Sequence, residues 1–313
     1  MPPATTDHSP ATKSLVDTTC PWCGAALSGA ETMRGTAGSY SVARCDGCGT
    51  GVTWPVPSDA ELDAAYGDWY RPDEGRFNGP GDRLLSWLRS RKAKHLDRVL
   101  PPGRVLDVGA GDGTLVGALR AHGRDAIGLE RTGGGPYVRA GEVSDMEGEW
   151  SGVVFWHSLE HMRQPAATIK DAVALLPEGG LLVVAVPNFG SLQARVFGAR
   201  WFALDLPRHL VHFDADGLRA GLEALGLRIT RTSHVRGGQI FFGWVHGLVS
   251  WLPGQLDLYA AIRRSEARDE ALSSRQSLGA LVAAVLLSPF AFVASVVEVV
   301  LRKGGSVYFE ARK

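Results

Sequence analysis

Val105-Leu106-Asp107-Val108-Gly109-Ala110-Gly111-Asp112-Gly113-Thr114 is the stretch on which the reading of the fold turns. A buried strand over Arg104 to Val108 carries Asp107 near its end. The glycines that follow let the backbone turn tightly and approach a ligand, and a helix from Thr114 to Ala121 points its N-terminus at that ligand. Spacing decides which ligand is meant. A dinucleotide fingerprint would need glycine at 109, 111 and 114, and position 114 is Thr. The glycines here are Gly109, Gly111 and Gly113, a G-x-G-x-G turn behind an acidic residue.

Outward from the turn the chain alternates. Strands are expected over Ala126 to Glu130, Gly152 to Trp156 and Leu181 to Val186, with a helix over Ala166 to Leu176. A helix from Asp216 to Leu225, closed by Gly226, a strand from Leu227 to Val235 and a last strand from Ser306 to Ala311 complete the pattern. Short apolar runs separated by helices describe an α/β, Rossmann-like, doubly wound and mostly parallel sheet. Glu130 ends the second strand roughly 20 residues past the glycines, where a carboxylate accepts both hydroxyls of a ribose. Only about 20 residues, several of them glycine, separate Glu130 from Gly152, so the helix expected between those strands is short or missing. Upstream, Leu84, Leu85, Leu88, Leu96 and Val99 lie on one face of a helical pattern over Asp82 to Leu100, which Pro101-Pro102-Gly103 stops. An aromatic linker with Tyr66, Trp69 and Tyr70 precedes it.

All four cysteines fall near the N-terminus, as Cys20-Pro21-Trp22-Cys23-Gly24 and Cys45-Asp46-Gly47-Cys48-Gly49. Two such knuckles make the closed four-thiolate set of a structural zinc site, which folds its module and leaves no coordination position open for catalysis. Clustered thiols point to a reducing, cytoplasmic setting. The expected organisation is a disordered tail over 1–17, a zinc ribbon over 18–57, a Rossmann-like domain over 58–237, an apolar helical insertion over 238–303 and the last strand over 304–313.

The G-x-G-x-G turn resembles motif I of the class I methyltransferases, in which it cradles the amino-acid part of S-adenosylmethionine. The resemblance implies that Asp107, Gly109, Gly111, Gly113, Glu130 and Ser158 bind this cofactor. An adenine-contacting residue would be found among Glu142, Ser144 and Asp145. Phe155-Trp156-His157-Ser158-Leu159-Glu160-His161-Met162 with Gln164-Pro165 resembles the h-x-L-E-H-x-x-x-P motif of a subfamily that includes the quinone-biosynthesis O-methyltransferases. Some of those enzymes hold a divalent cation at this segment; here His157 stands where a carboxylate would be expected, which disfavours magnesium. Pro207-Arg208-His209-Leu210-Val211-His212-Phe213 resembles a P-R-H-x-x-H-F loop near the acceptor site of the same subfamily. His161, His209 and His212 are accordingly the candidate catalytic bases. The cysteine leader is also similar to that of certain deoxysugar methyltransferases.

The implied activity is methyl transfer, O-directed, to a small-molecule or lipid-linked acceptor. Two rivals are a nucleotide-sugar C- or N-methyltransferase and an interaction protein with a degenerate methyltransferase domain; the intact Asp107, glycine set and Glu130 speak against degeneracy. Thirty-three basic and 33 acidic residues balance to zero net charge, and only Arg34 and Arg44 are basic between Cys20 and Cys48, so no nucleic-acid partner is expected. The long apolar region Ile240 to Leu301 exceeds what a Rossmann sheet needs. Ser277 to Val297 carries no charge over 21 residues, about 31 Å as a helix. With Pro289 near its middle, two short helices dipping into one leaflet are expected, flanked by Arg263, Arg264, Arg268, Arg302 and Lys303. The competing expectation is a soluble helical lid. The first places the protein peripherally on the cytoplasmic face of a membrane.

Overall fold

The computed structural model describes residues 18–27, 31–34, 40–67, 80–132, 134–235, 238–263 and 271–313. The tail over 1–17, Trp69, Tyr70, Gly133, Arg264 and Arg268 lie outside the described residues, as do the side chains of Leu84, Leu85 and Leu88. Three short strands come first: β1 (Glu31–Arg34), β2 (Ser41–Arg44) and β3 (Gly51–Trp54). Helices α1 (Asp59–Gly67) and α2 (Pro80–Val99) lead to β4 (Val105–Val108), α3 (Thr114–Ala121), β5 (Ala126–Glu130), β6 (Val138–Ala140) and β7 (Gly152–Trp156). Then follow α4 (Pro165–Leu175), β8 (Leu181–Pro187), α5 (Leu192–Phe197), β9 (Val211–His212), α6 (Ala215–Ala224) and β10 (Arg228–Ser233). The insertion supplies α7 (Gly238–Ser250), α8 (Leu258–Ile262) and a long helix, α9 (Ser274–Val300), before β11 (Ser306–Arg312).

Seven strands form the main sheet in the order β10-β11-β8-β7-β4-β5-β6. Neighbours from β8 to β6 run parallel, and β11 is antiparallel to both β10 and β8. Successive strand residues point to opposite faces. Leu106, Val108, Val153, Phe155, Leu182 and Val184 accordingly enter one core, while Val105, Val154, Leu181 and Val183 pack on the other side against Leu96 of α2 and Leu115, Val116 and Leu119 of α3. The chain leaves β4 toward β5 on one side and returns to β7 on the other, so strand order reverses at β4 and a crevice opens at its C-terminal end. The glycine turn sits there.

Between β5 and β7 no α-helix occurs among the described residues, in line with the expected short or missing helix; the short strand β6, which the sequence reading does not include, pairs with β5 instead. The insertion differs from the expectation of two short helices. α9 is one continuous helix of 27 residues with Pro289 inside it. A proline removes one backbone donor without forbidding a helix whose flanking turns are packed, and Ala280, Ala283 and Ala291 are buried on either side of it.

Nor is the cysteine segment a separate packing unit. β3 pairs antiparallel with β9, giving a second sheet in the order β1-β2-β3-β9. Cys20, Trp22, Leu27 and Cys45 share one core with Phe213, Leu218 and Leu222 and, beyond them, with the main sheet. Trp22 donates to the Gly217 carbonyl (3.0 Å) and packs edge-on against Phe213. A Cβ at Gly221 would fall 2.3 Å from its indole, so glycine is needed there for α6 to approach the ribbon.

Candidate active site

The turn after β4 is held by its neighbours. The Gly109 and Ala110 amides both donate to the Leu129 carbonyl (2.8 and 2.9 Å). Gly109, Gly111 and Gly113 all have left-handed φ, at 75°, 56° and 71°. Only glycine adopts these without strain. A second constraint acts at Gly109, where a Cβ would lie 2.3 Å from the Cβ of Ser158. The Ser158 hydroxyl donates to the Val108 carbonyl (2.5 Å), so this residue, expected to touch cofactor, also buttresses the glycine turn. Glu130 turns back over the loop: its Oε2 accepts from the Gly111 amide (2.8 Å) and its Oε1 from the Arg131 amide (3.1 Å). Asp107 is buried at the strand end, and burial pushes its carboxyl up to about 6, against the opposing charge of Lys92. Of the residues considered for adenine, Glu142 and Asp145 form a capping box with each other's amides, and Ser144 is exposed.

The 3₁₀ turn Leu159–His161 follows Ser158 directly and begins a cluster of histidines. His161 Nδ1 lies 2.9 Å from the Arg208 carbonyl and 2.9 Å from the Tyr66 hydroxyl. His209 stacks edge-on against it with ring centroids 4.7 Å apart, and the His209 Nδ1 lies 2.9 Å from the Ala203 carbonyl. A backbone carbonyl accepts only from a protonated nitrogen, which fixes Nδ1–H on these rings when neutral and leaves Nε2 the basic atom. Asp205 braces the loop: it is ion-paired with Arg208, and its Oδ2 lies 3.6 Å from His209 Nε2. Glu160 is 1% exposed, with His157 Nδ1 3.3 Å from its Oε1, while its Oε2 has no hydrogen-bond partner among the described residues. Burial would raise the Glu160 carboxyl, but the His157 hydrogen bond and the surrounding imidazoles outweigh it and hold the group down at about 2. Burial shifts His161 the other way, lowering its pKa toward the neutral ring, and pushes Tyr66 up to about 12. One ligand atom each from Glu160, His161 and His209 falls within 4.8 Å of the others, close enough to share a ligand or a cation.

His212 is not part of this group. It lies on β9, its Nε2 2.9 Å from Thr53 Oγ1, whose own proton goes to the His209 carbonyl (2.6 Å). Nε2 must therefore be the donor to Thr53. Burial pushes this histidine down to about 3, so it is a neutral brace between the ribbon and the histidine loop.

Residues 84–232 match the family described as a methyltransferase domain. Over 201 residues the chain is 27% identical to the ubiquinone biosynthesis O-methyltransferase of Bordetella avium (strain 197N), covering 54% of this chain and 82% of that protein. This chain carries an S-adenosylmethionine-dependent methyltransferase domain. Solved structures it resembles include a SAM-dependent methyltransferase from Archaeoglobus fulgidus, with 15% identity, TM-score 0.45 and coverage of 72% of this chain and 94% of that one. Another is a possible histamine N-methyltransferase from Thermotoga maritima, with 15% identity, TM-score 0.42 and coverage of 74% and 90%. Neither likeness assigns an acceptor. The methyltransferase turn fits its cofactor chemically. Each Glu130 oxygen accepts one amide and, as a carboxylate oxygen, retains a further lone pair for a ribose hydroxyl.

In the N-terminal ribbon, the four cysteine sulfurs gather with Cys20 and Cys48 3.7 Å apart and Cys23 and Cys45 3.5 Å apart, all within 4.8 Å of one another. Four thiolates at about 2.3 Å from a tetrahedral ion would be about 3.8 Å apart, so the set fits a four-thiolate metal centre. Gly24 and Gly49, at φ 76° and 73°, follow the second cysteine of each pair and let both knuckles fold back, with Gly24 N bonded to Cys20 O and Gly49 N to Cys45 O.

Ser158, packed on Gly109 and bonded to the Val108 carbonyl, leads directly into the turn that carries Glu160 and His161, so the cofactor turn and the histidine cluster are neighbours. The braces Tyr66, Asp205 and Thr53 were not singled out for this site from sequence. Asp205 sits three residues before Arg208, a spacing that hints at the pair; Tyr66 and Thr53 arrive from distant segments and leave no local signal.

Proposed function

We propose that this methyltransferase methylates the oxygen of a small hydrophobic or lipid-linked acceptor, with His161 as general base and Glu160 positioning the acceptor. One observation supports this above others: the buried Glu160 carboxylate keeps an unpartnered oxygen beside two histidines whose Nδ1 atoms are held by main-chain carbonyls. A buried charged oxygen without a partner is costly, and an acceptor hydroxyl would satisfy it. S-adenosylmethionine, when bound, supplies the methyl group on its sulfonium. Glu130 and the glycine turn hold that cofactor; Glu160 orients the acceptor hydroxyl; His161 Nε2 takes its proton; and His209, fixed by Ala203 and Asp205, closes the site against water. Zinc is the ion we assign to the four cysteines, as a tetrahedral all-thiolate set suits it. Such a site belongs in the reducing cytoplasm.

The test is methyl transfer to phenolic acceptors with and without polyprenyl chains, with the methylated atom identified by mass spectrometry. His161→Gln should lower turnover by roughly 10²- to 10⁴-fold and leave cofactor affinity unchanged. Because burial lowers the His161 pKa, the base stays unprotonated to lower pH than a free imidazole; wild-type turnover should fall only below the ordinary histidine range. Methylation at carbon or nitrogen, or wild-type turnover in His161→Gln, overturns the reading.

A further inference from the structure

We infer that α9 is a membrane-docking helix that lies in the plane of one leaflet, with the rest of the protein as its polar back. α9 is apolar enough to cross a bilayer, with a mean hydropathy of 2.4 over its most apolar window, yet only 17% of that window is buried, so it is not a core helix. Val285 is 73% exposed, Leu286 68%, Phe290 67% and Val293 62%. At about 100° per residue, the exposed apolar side chains, from Leu278 to Val300, cover about half of the circumference.

The polar groups decide the occupant. From Gln276 to Val297 the helix has no charged residue. Its two mid-helix serines turn their hydroxyls back into the helix, Ser288 onto the Ala284 carbonyl and Ser295 onto the Ala291 carbonyl, each at 2.6 Å. Ser277 is buried, and Glu298 is fully buried, accepting from the Gln193 side chain and from the Trp244 indole, both at 2.8 Å. No polar side chain is offered outward over these turns. A protein partner, including a second copy of this chain, would meet a polar rim and form about one hydrogen bond per 100–200 Å² of contact. Hydrocarbon asks for none, and it suits the inward-turned hydroxyls of Ser288 and Ser295. Exposed Arg275 and Arg302 stand at the two ends of the apolar run, where anionic headgroups would be, and Trp251, 49% exposed, lies at the end of α7 beside it.

The helix lies flat because its other face is fixed. Ala280, Ala283, Ala291 and Glu298 are buried against the protein, attachment points spread over about 27 Å at 1.5 Å per residue. A helix held along that length cannot leave the domain to cross a bilayer. This inference does not rest on the acceptor proposed above, since vesicle binding is read without any methyl transfer.

The experiment is flotation of the full chain with phosphatidylcholine vesicles, with and without phosphatidylglycerol, with sedimentation in the absence of lipid. Flotation that is stronger on the anionic vesicles is expected. Val285→Glu/Leu286→Glu/Val293→Glu should cut partitioning at least tenfold, since charge at each site opposes insertion. Hydrogen exchange on the wild-type chain gives a readout that needs no variant: the amides of 278–300 should slow when vesicles are added. Failure to float, flotation undiminished in a folded triple variant, unchanged exchange over 278–300, or a dimer that buries this face without binding lipid would each overturn the inference.

Discussion

Gly109→Ala isolates what holds the methyltransferase turn in place. Two costs act at once. Alanine must adopt φ 75°, a left-handed conformation that costs an L residue about 1–2 kcal/mol. Its Cβ would also fall 2.3 Å from the Ser158 Cβ, where ordinary contact begins at 3.4 Å. Relieving an overlap of about 1 Å in a packed site costs about 1–3 kcal/mol. The single variant should therefore lose about 2–5 kcal/mol, read from urea unfolding. Ser158→Gly removes the clashing atom and leaves the backbone cost. It also loses the hydroxyl bond to Val108, about 1 kcal/mol, and gains the flexibility of glycine, about 0.5–1 kcal/mol. Adding Gly109→Ala to Ser158→Gly should then cost only the about 1–2 kcal/mol of left-handed strain, giving a coupling of about 1–3 kcal/mol in the double-mutant cycle. Strict additivity would show that the two residues do not compete for one space and would refute the packing of Ser158 on the cofactor turn.

Glu130→Ala should weaken S-adenosylmethionine binding by about 10- to 100-fold in calorimetry, the loss of charged hydrogen bonds worth about 1.5–3 kcal/mol; Glu130→Gln, which can still accept from Gly111, should fall between, and unchanged affinity in a folded alanine variant refutes the ribose role. His212 has a folded pKa of about 3, well below the 6.5 of a free imidazole, so the unfolded chain takes up a proton that the folded chain refuses. Its stabilising effect is whole above about pH 6.5 and is lost as pH falls from there toward 3. Melting curves of wild type and His212→Gln should converge over that window, and parallel curves would refute the brace. With the proposed zinc loaded on the four cysteines, a strong chelator should lower the melting temperature of the whole chain in a single transition, because β3 shares a sheet with β9 and Trp22 packs on α6; a ribbon that melts while β9 and cofactor binding are untouched would contradict that coupling.

What the sequence determined by itself was local. The strand carrying Asp107, the glycine turn, α3 and β5 with Glu130 fall where period-two and 3.6-residue patterning and turn chemistry place them, because those signals arise between residues a few positions apart. That no α-helix occurs between Glu130 and Gly152 among the described residues agrees with a local signal too: a connection of about 20 residues with several glycines favours a shortened or missing helix. The spacing of four cysteines likewise announced a common site before any fold was known.

Only the tertiary structure decided which distant groups compete for the same space or bond. The motif position of Ser158 marks it only as a cofactor residue; its bond to Val108 and its contact with Gly109 require β4 and β7 to lie side by side. His209 and His212, three residues apart in one loop, take different parts because Val211–His212 pairs with β3, a partner about 160 residues earlier, which turns His212 toward Thr53 and leaves His209 to face His161. Pro289 suggested a broken helix, and packing at Ala280, Ala283 and Ala291 carried α9 through it. A long-range pairing or a packed face leaves no mark at any one position, since either of its halves is compatible with many partners; the fold selects the one that buries the most apolar surface and leaves the fewest polar groups without a bond.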